Sequence, residues 1–403
     1  MLRLPSSVLC LAAVVALSGC ATTPERPYVH YTGDPVVDGN AHLAIAPERD
    51  KALWSYRVAA SAIRRGEYDE ARARLDDALA RSAAALAPNS EAAKSRRLFG
   101  REETKPFAGE SYERIMGNYY RGLIYWRDGE PDNARALFRT GEFIDGDATD
   151  KTYAGDWVLL DYLDGFVTRK LAGDGSDALV RARAAAQAQG RATPPDYDPQ
   201  ANVLLFVDYG PGPRKYPSGE YGELLKIAVD DSPVASARLA VDGREIDLPP
   251  YDDIGWQATT RGGRVMDHIL GNKAVFKQNT DTLGDVALVG AVGTSAFGTG
   301  KDSQNVALGL AAVGLISKIA SAATQTEADT RMWDNLPRYL SFGALRLPPG
   351  DYPATLTFYS PAGRILPGRT QQFLISVPAS DTATSDARAT PRDLVIIRSD
   401  AKQ

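Results

Sequence analysis

The stretch Gly66–Ala71 (GEYDEA) separates two runs of helical periodicity, and it decides how the first half of the chain folds. Before it, apolar residues recur at intervals of three and four over residues 58–63, which is typical of an amphipathic helix. After it, residues 71–79 place alanine and leucine on one face of a second helix. Gly66 breaks the pattern, as glycine commonly does where a helix ends. The stretch therefore predicts a helical hairpin.

The same arrangement returns further along the chain. Gly122 and Tyr125 occupy one helical run, and Gly129 interrupts it. Ala134 and Phe138 then lie four residues apart in the next run. Because both units combine small and large residues at matched positions around a glycine turn, we expect two helical hairpins of the same design.

The spacing in both units resembles that of tetratricopeptide repeats. This resemblance implies that the small residues Ala59 and Gly122 allow paired helices to approach closely. Ala71 and Ala134 would fill the facing positions, and Tyr68 would pack over the turn.

The two turn glycines lie 63 residues apart, whereas tandem repeats of this kind recur at about 34 residues. Residues 82–110 would therefore be an insertion between the units. A generic array of helical hairpins is the alternative interpretation.

A Pro- and Asp-rich stretch at 191–200 marks a change from helical to strand-like periodicity. Strand-like runs follow, and Asp242-Gly243 between two of them is typical of a β-hairpin. The predicted fold class is α+β: an N-terminal all-α, tetratricopeptide-like array, then a mixed domain with a β-sandwich-like sheet and a helical insertion. The predicted ranges are 46–190 for the array, 201–379 for the mixed domain, 264–333 for the insertion, and 380–403 for a polar tail with a short strand.

The N-terminus predicts export. Arg3 precedes an apolar run that ends in Leu17-Ser18-Gly19-Cys20, which resembles a bacterial lipobox. The resemblance implies a signal peptide at 1–19, acylation of Cys20, and outer-membrane sorting because Ala21 rather than Asp follows. Residues 20–45 would form a flexible tether. An ordinary secreted protein and an uncleaved anchor are the alternatives.

Composition and motifs exclude several function classes. The net charge of −5 and the lack of a basic patch argue against a nucleic-acid partner. Residues 295–302 fail the phosphate-loop pattern, so no nucleotide is expected. Residues 145–156 fail the pattern of a calcium loop, and the three histidines lack metal-ligand spacing. The sequence predicts no catalytic, cofactor-binding or metal-ligating residue.

The layout resembles an uncharacterised family of bacterial envelope lipoproteins, most distinctively in Ala328–Pro337 (ADTRMWDNLP). The sequence thus predicts a non-catalytic scaffold or regulator on the periplasmic side of the outer membrane. It would bind a periplasmic or outer-membrane protein, with Arg57 and Arg121 facing an acidic partner segment. The alternatives are a cell-wall enzyme with an unrecognised carboxylate site, and an export component that inserts 281–325 into a membrane.

Overall fold

The computed structural model describes residues 28–87, 106–147, 153–218, 224–261, 328–379 and 393–401. Within these ranges the protein is α+β, with helices in the N-terminal half and sheets in the C-terminal half. Cys20, most of the predicted helical insertion, and the whole of 281–325 lie outside the described residues.

Most of the helices pair as antiparallel hairpins. The pairs are α2 with α3, α4 with α5, and α6 with α7, while α1 packs on α2 and α8 lies against α4 and the sheet. The helices are α1 Pro35–Ile45, α2 Lys51–Arg65, α3 Tyr68–Leu86, α4 Ser111–Asp128, α5 Pro131–Gly146, α6 Val158–Lys170, α7 Ser176–Ala188 and α8 Ile254–Arg261.

The first two hairpins turn at the glycines that the sequence singles out. Gly66 (φ 75°) and Gly129 (φ 87°) end α2 and α4 in the left-handed conformation. The amide of Glu67 donates to the carbonyl of Ala62 at 2.9 Å, which closes the helix end as a Schellman motif. Glycine is favoured at both positions because side chains rarely adopt this conformation.

Small residues lie where the paired helices touch. Ala71 and Ala134 are fully buried. A methyl group on Gly122 would come within 2.6 Å of the Phe138 ring, so glycine sets the approach of α4 and α5.

We expect Gly122→Leu to lower the free energy of unfolding by about 1–3 kcal/mol because it overpacks this contact. The matched control is Gly146→Leu, since nothing lies within 4 Å of a methyl group built at Gly146. Denaturant melts of both variants measure the difference. Equal midpoints would show that the contact at Gly122 can adapt without cost.

The third hairpin follows a modified spacing. Gly165 on α6 touches the backbone of Gly175, just before α7. Ala178, which fills the position of Ala71 and Ala134, lies 13 residues after Gly165. Ala134 lies 12 residues after Gly122. This single extra residue explains why the sequence does not predict the third unit clearly.

Two four-stranded sheets and one hairpin form the C-terminal half. The first sheet has the order β10-β1-β7-β6, with β10 parallel to β1, and the second has the order β5-β4-β8-β9. The strands are β1 Val203–Pro211, β2 Arg214–Ser218, β3 Leu224–Ala228, β4 Ser236–Val241, β5 Arg244–Leu248, β6 Asp252–Asp253, β7 Pro337–Leu345, β8 Gly350–Tyr359, β9 Gln371–Val377 and β10 Leu394–Ser399.

Strand β1 is buried on both faces. Leu204 and Phe206 pack with the helices, whereas Val203 and Leu205 pack with the second sheet. Successive side chains of a strand point to opposite faces, so one strand serves both cores. The result is three layers, in which the helices and the first sheet share a core across the 191–200 boundary.

Two segments differ from the predicted organisation. Residues 35–45 of the expected tether form helix α1, which Asp34 caps by accepting from the amides of Val36 and Val37. A methyl group on Gly39 would meet Val58 of α2 at 2.7 Å, so α1 is docked closely. Residues 394–399 of the expected tail form β10 beside β1, so this strand belongs to the first sheet.

The Trp333 segment, defined here as residues 328–336, lies against α2 and α4. The ring of Trp333 stacks on Tyr56 with a centroid distance of 4.4 Å, and its amide donates to Glu113 at 2.8 Å. Asn335 donates to the carbonyl of Arg57 at 2.9 Å. The described part of the predicted 264–333 insertion is therefore extended chain rather than helix.

Candidate functional site

A cleft of about 830 Å³ opens where α5, α6 and α7 meet the loop before α6 and the start of α8. We call it the acidic cleft. Its described lining combines carboxylates, aromatic rings and the alanines of α7. These are Glu142, Asp145, Tyr153, Ala154, Gly155, Asp156, Trp157, Asp161, Arg181, Ala184, Ala185, Ala188, Gln189 and Trp256.

Asp252 fixes the wall formed by the loop before α6. Its two carboxylate oxygens accept the amides of Val158 and Leu159, each at 2.8 Å, and so cap the N-terminus of α6 from the edge of the first sheet. Asp252 is buried, and burial raises the pKa of its carboxyl group to about 7 against the effect of these hydrogen bonds. This contact holds α6 and α8 in a fixed relation.

Asp156 connects that loop to α8. Its carboxylate accepts from Nε1 of Trp256 at 3.1 Å and from Nε2 of Gln257 at 2.6 Å. The ring of Tyr153 meets Trp256 edge-on at 5.9 Å. These contacts set a carboxylate and two aromatic rings on one side of the cleft.

Arg181 is the only cation among the described lining residues. Its Nη2 lies 2.6 Å from Asp161 and 3.7 Å from Glu142. Its side chain remains 52% exposed. One guanidinium group thus faces four lining carboxyl groups, and the cleft carries an excess of acid.

Burial raises the pKa values of several of these carboxyl groups. The pKa of Glu142 rises to about 7, first through burial and then through the charges of Asp161 and Asp164. Burial raises the pKa of Asp156 to about 6, although the hydrogen bonds from Gln257 and Trp256 oppose it. The acidic charge of the cleft therefore develops around neutral pH.

Two buried polar atoms of the lining have no hydrogen-bond partner within the described part of the chain. They are Oε1 of Glu142 and Nε1 of Trp157. Buried polar groups in proteins are nearly always paired, so each can receive a ligand atom of complementary type. A cleft of this volume with few polar groups and an apolar floor is typical of a binding site.

The arginines that the sequence offered for a partner are engaged within the chain. Arg121 is buried, its Nε lies 2.7 Å from Asp76, and its guanidinium lies 3.5 Å from the centre of the Tyr125 ring. The Nη2 atom of Arg57 donates to the carbonyl of Met332 at 3.0 Å. Both side chains thus stabilise the helices and the Trp333 segment, and neither lines the acidic cleft.

The residues of the cleft come from separate parts of the chain, and only part of the set carries a sequence signal. Asp145 and Asp156 fall in the acidic stretch that the sequence analysis tested against the calcium-loop pattern. Glu142 lies three residues before Asp145, a spacing that puts both on one helix face. Nothing in the sequence links Arg181 or Trp256 to them.

Comparison with protein-family models, with characterised proteins and with solved structures finds no match to this chain. Among the described residues, no three His, Cys, Asp or Glu side chains are grouped so that they could hold a metal ion. No helix in the described ranges has the length and apolar character needed to span a bilayer.

Proposed function

We propose that this protein is a lipid-anchored scaffold of the bacterial envelope that binds a basic segment of a partner protein in the acidic cleft. The anchor follows from the lipobox-like Leu17–Cys20, and the partner would be a periplasmic or outer-membrane protein. The observation that carries the proposal is the excess of carboxyl groups over Arg181 in an open, aromatic-walled cleft.

The chemistry of the cleft suits lysine or arginine. Carboxylates form strong, charge-assisted hydrogen bonds with guanidinium and ammonium groups. Trp256 and Tyr153 offer ring faces or edges to a cation and its aliphatic stem. Ala184 and Ala188 leave an apolar, shallow floor on α7, on which a chain segment could lie.

The helical hairpins support a scaffold role of the tetratricopeptide type. Their turn glycines and small contact residues follow the repeat spacing in two units. Helical repeats commonly bind extended segments of partner proteins. In this proposal the binding surface is the α5–α7 end of the array, because the Trp333 segment covers α2 and α4.

A second candidate is a hydrolase that acts on a cell-wall glycan. The observation in its favour is Glu142, whose pKa of about 7 suits a general acid at neutral pH. Release of soluble fragments from purified cell wall by the wild type, and its loss in Glu142→Gln, would favour this enzyme over the scaffold.

We expect Glu142→Gln to weaken binding of a fluorescein-labelled peptide of alternating arginine and alanine by about 10- to 100-fold at pH 8. A hydrogen bond to a charged group contributes about 1.5–3 kcal/mol, and each 1.4 kcal/mol is tenfold in affinity. Binding to the wild type should tighten between pH 6 and pH 8, because Glu142 loses its proton in that interval. Fluorescence anisotropy titrations measure both effects.

Glu130→Gln is the matched control, since Glu130 is exposed just before α5 and does not line the cleft. Equal losses in the two variants would mean that the peptide responds to net charge rather than to the cleft. In cells, a photo-crosslinker at Ala184 should capture a basic partner segment that the same group at exposed Ala136 does not capture. Capture at both positions would contradict binding in the cleft.

A further inference from the structure

Helix α1 is apolar on two opposite faces. Val36, Gly39 and Leu43 are buried, and Gly39 packs on α2. On another face, Val37 is 50% exposed and Ile45 is 41% exposed. A surface helix normally turns polar residues outward, so a second apolar face calls for a partner.

Aromatic residues extend this face. Tyr28 is 87% exposed and Tyr31 is 65% exposed. The Tyr31 hydroxyl lies 2.9 Å from Nε2 of His42, and His42 stacks on Trp54 with a centroid distance of 4.4 Å. Tyrosine and tryptophan favour the interface between water and lipid, because each has an apolar ring and a polar tip.

The carboxylates of this region are already engaged. Asp38 accepts from the amide and hydroxyl of Thr32, both at 2.7 Å, and from the amide of Gly33 at 3.0 Å. Asp34 lies 3.0 Å from Nη1 of Arg65. Their charges are thus partly compensated beside the apolar face.

The position of this face along the chain selects its partner. Tyr28 lies only eight residues after Cys20, the predicted site of acylation. Eight residues span at most about 28 Å when fully extended. If Cys20 carries the lipid anchor, the membrane surface is held within this distance of Tyr28, whereas a second copy or another protein must reach the face by diffusion.

We propose that Tyr28, Tyr31, Val37 and Ile45 form a membrane-contact face, and that α1 lies along the lipid surface in which Cys20 is anchored. The inference rests on the anchor of the proposed function and adds a fixed orientation to it. An anchored chain whose first helix also contacts lipid would be held against the bilayer and could not swing freely on a tether.

A nitroxide on Val37→Cys tests this face in the full-length, lipidated protein reconstituted into phosphatidylethanolamine–phosphatidylglycerol vesicles. An acylated Cys20 leaves the introduced thiol as the only one in the mature chain. Power-saturation spectroscopy measures collisions with oxygen, which concentrates in lipid, and with a water-soluble nickel complex. Val180→Cys is the matched control because Val180, on α7, is 64% exposed.

We expect the label at position 37 to lose several-fold in nickel accessibility and to gain in oxygen accessibility on vesicles, while position 180 stays accessible to nickel. Equal nickel accessibility at both positions would overturn the membrane-contact face. The same shielding at position 37 in the unlipidated Cys20→Ser protein in water would also overturn it, because a second copy or the chain's own residues would then cover α1.

Intact-mass measurement separates this inference from the proposed function. Added acyl mass without shielding at position 37 would leave the anchor in place and remove only the contact face. Absence of acyl mass would remove the anchor and the contact face together. Peptide binding in the acidic cleft is measured without lipid, so it stands or falls independently of both.

Discussion

Glu113→Ala should lower the free energy of unfolding by about 3–5 kcal/mol, because it leaves the ammonium group of Lys215 buried without its counter-ion. Nζ of Lys215 lies 2.6 Å from Glu113, and both side chains are almost fully buried. Glu113 also accepts the amides of Glu110 at 2.7 Å and Trp333 at 2.8 Å. The substitution therefore removes a charge, a helix cap and the tie to the Trp333 segment together.

Denaturant melts test this expectation against Glu245→Ala, which removes a carboxylate from the exposed ion pair with Arg238. Exposed pairs contribute about 0–1 kcal/mol, so this control should change little. The double variant Glu113→Met with Lys215→Met should recover part of the loss, because it leaves no unpaired charge. A loss in Glu113→Ala as small as that of the control would mean that water or another residue solvates Lys215.

The local features of the fold are the ones that the sequence predicts. Gly66 and Gly129 act through their own backbone conformation, so their effect is readable from neighbours within a few residues. Asp242-Gly243 forms the β4–β5 turn with positive φ at both residues, as a two-residue hairpin requires. The finer expectation of a tetratricopeptide repeat stays a prediction, since helical hairpins alone do not establish it.

The features that the sequence misses depend on distant partners. The polar, Pro-containing stretch before residue 45 is typical of a tether, but α1 forms because α2 supplies a surface for it. Strand β10 follows a polar stretch and pairs with β1, almost 200 residues away. The Trp333 segment is distinctive in sequence, but its role depends on Glu113 and Tyr56.

The acidic cleft shows the same limit at a candidate site. Asp145 and Asp156 are visible as an acidic stretch, and the pattern was rightly compared with a metal loop. Their neighbours Arg181 and Trp256 come from helices that only the fold brings together. Pairs of charges in space leave no spacing in the sequence, so neither the charge excess of the cleft nor the raised pKa of Glu142 could be predicted.

Asp208, in the middle of the molecule, carries the second large expected effect. It lies on β1, is buried, and accepts the hydroxyl of Tyr120 at 2.6 Å. Burial raises its pKa from an ordinary value of 3.8 to about 7, and the charge of Asp400 adds to the rise. The hydrogen bond from Tyr120 and the charge of Arg64 oppose the rise but do not cancel it.

This raised pKa makes the stability of the protein depend on pH. The folded protein holds a proton on Asp208 up to about pH 7, whereas the unfolded chain releases it near pH 4. The stabilisation from this proton is therefore complete below about pH 4 and is lost as the pH rises through about 7. A rise from 3.8 to about 7 corresponds to about 4 kcal/mol as an upper limit.

We expect Asp208→Asn to flatten the fall in the free energy of unfolding between pH 5 and pH 8, and to stabilise the protein at pH 8 relative to the wild type. Asparagine is neutral and can still accept from Tyr120, although its amide hydrogens reduce the gain because they need partners of their own. Some slope should remain, because the pKa of buried Asp252 is also raised to about 7. Urea melts at each pH, with exposed Asp132→Asn as the control, measure the slope. An unchanged slope in Asp208→Asn would mean that Asp208 is already ionised in the folded protein at pH 5, with Arg64 compensating its charge.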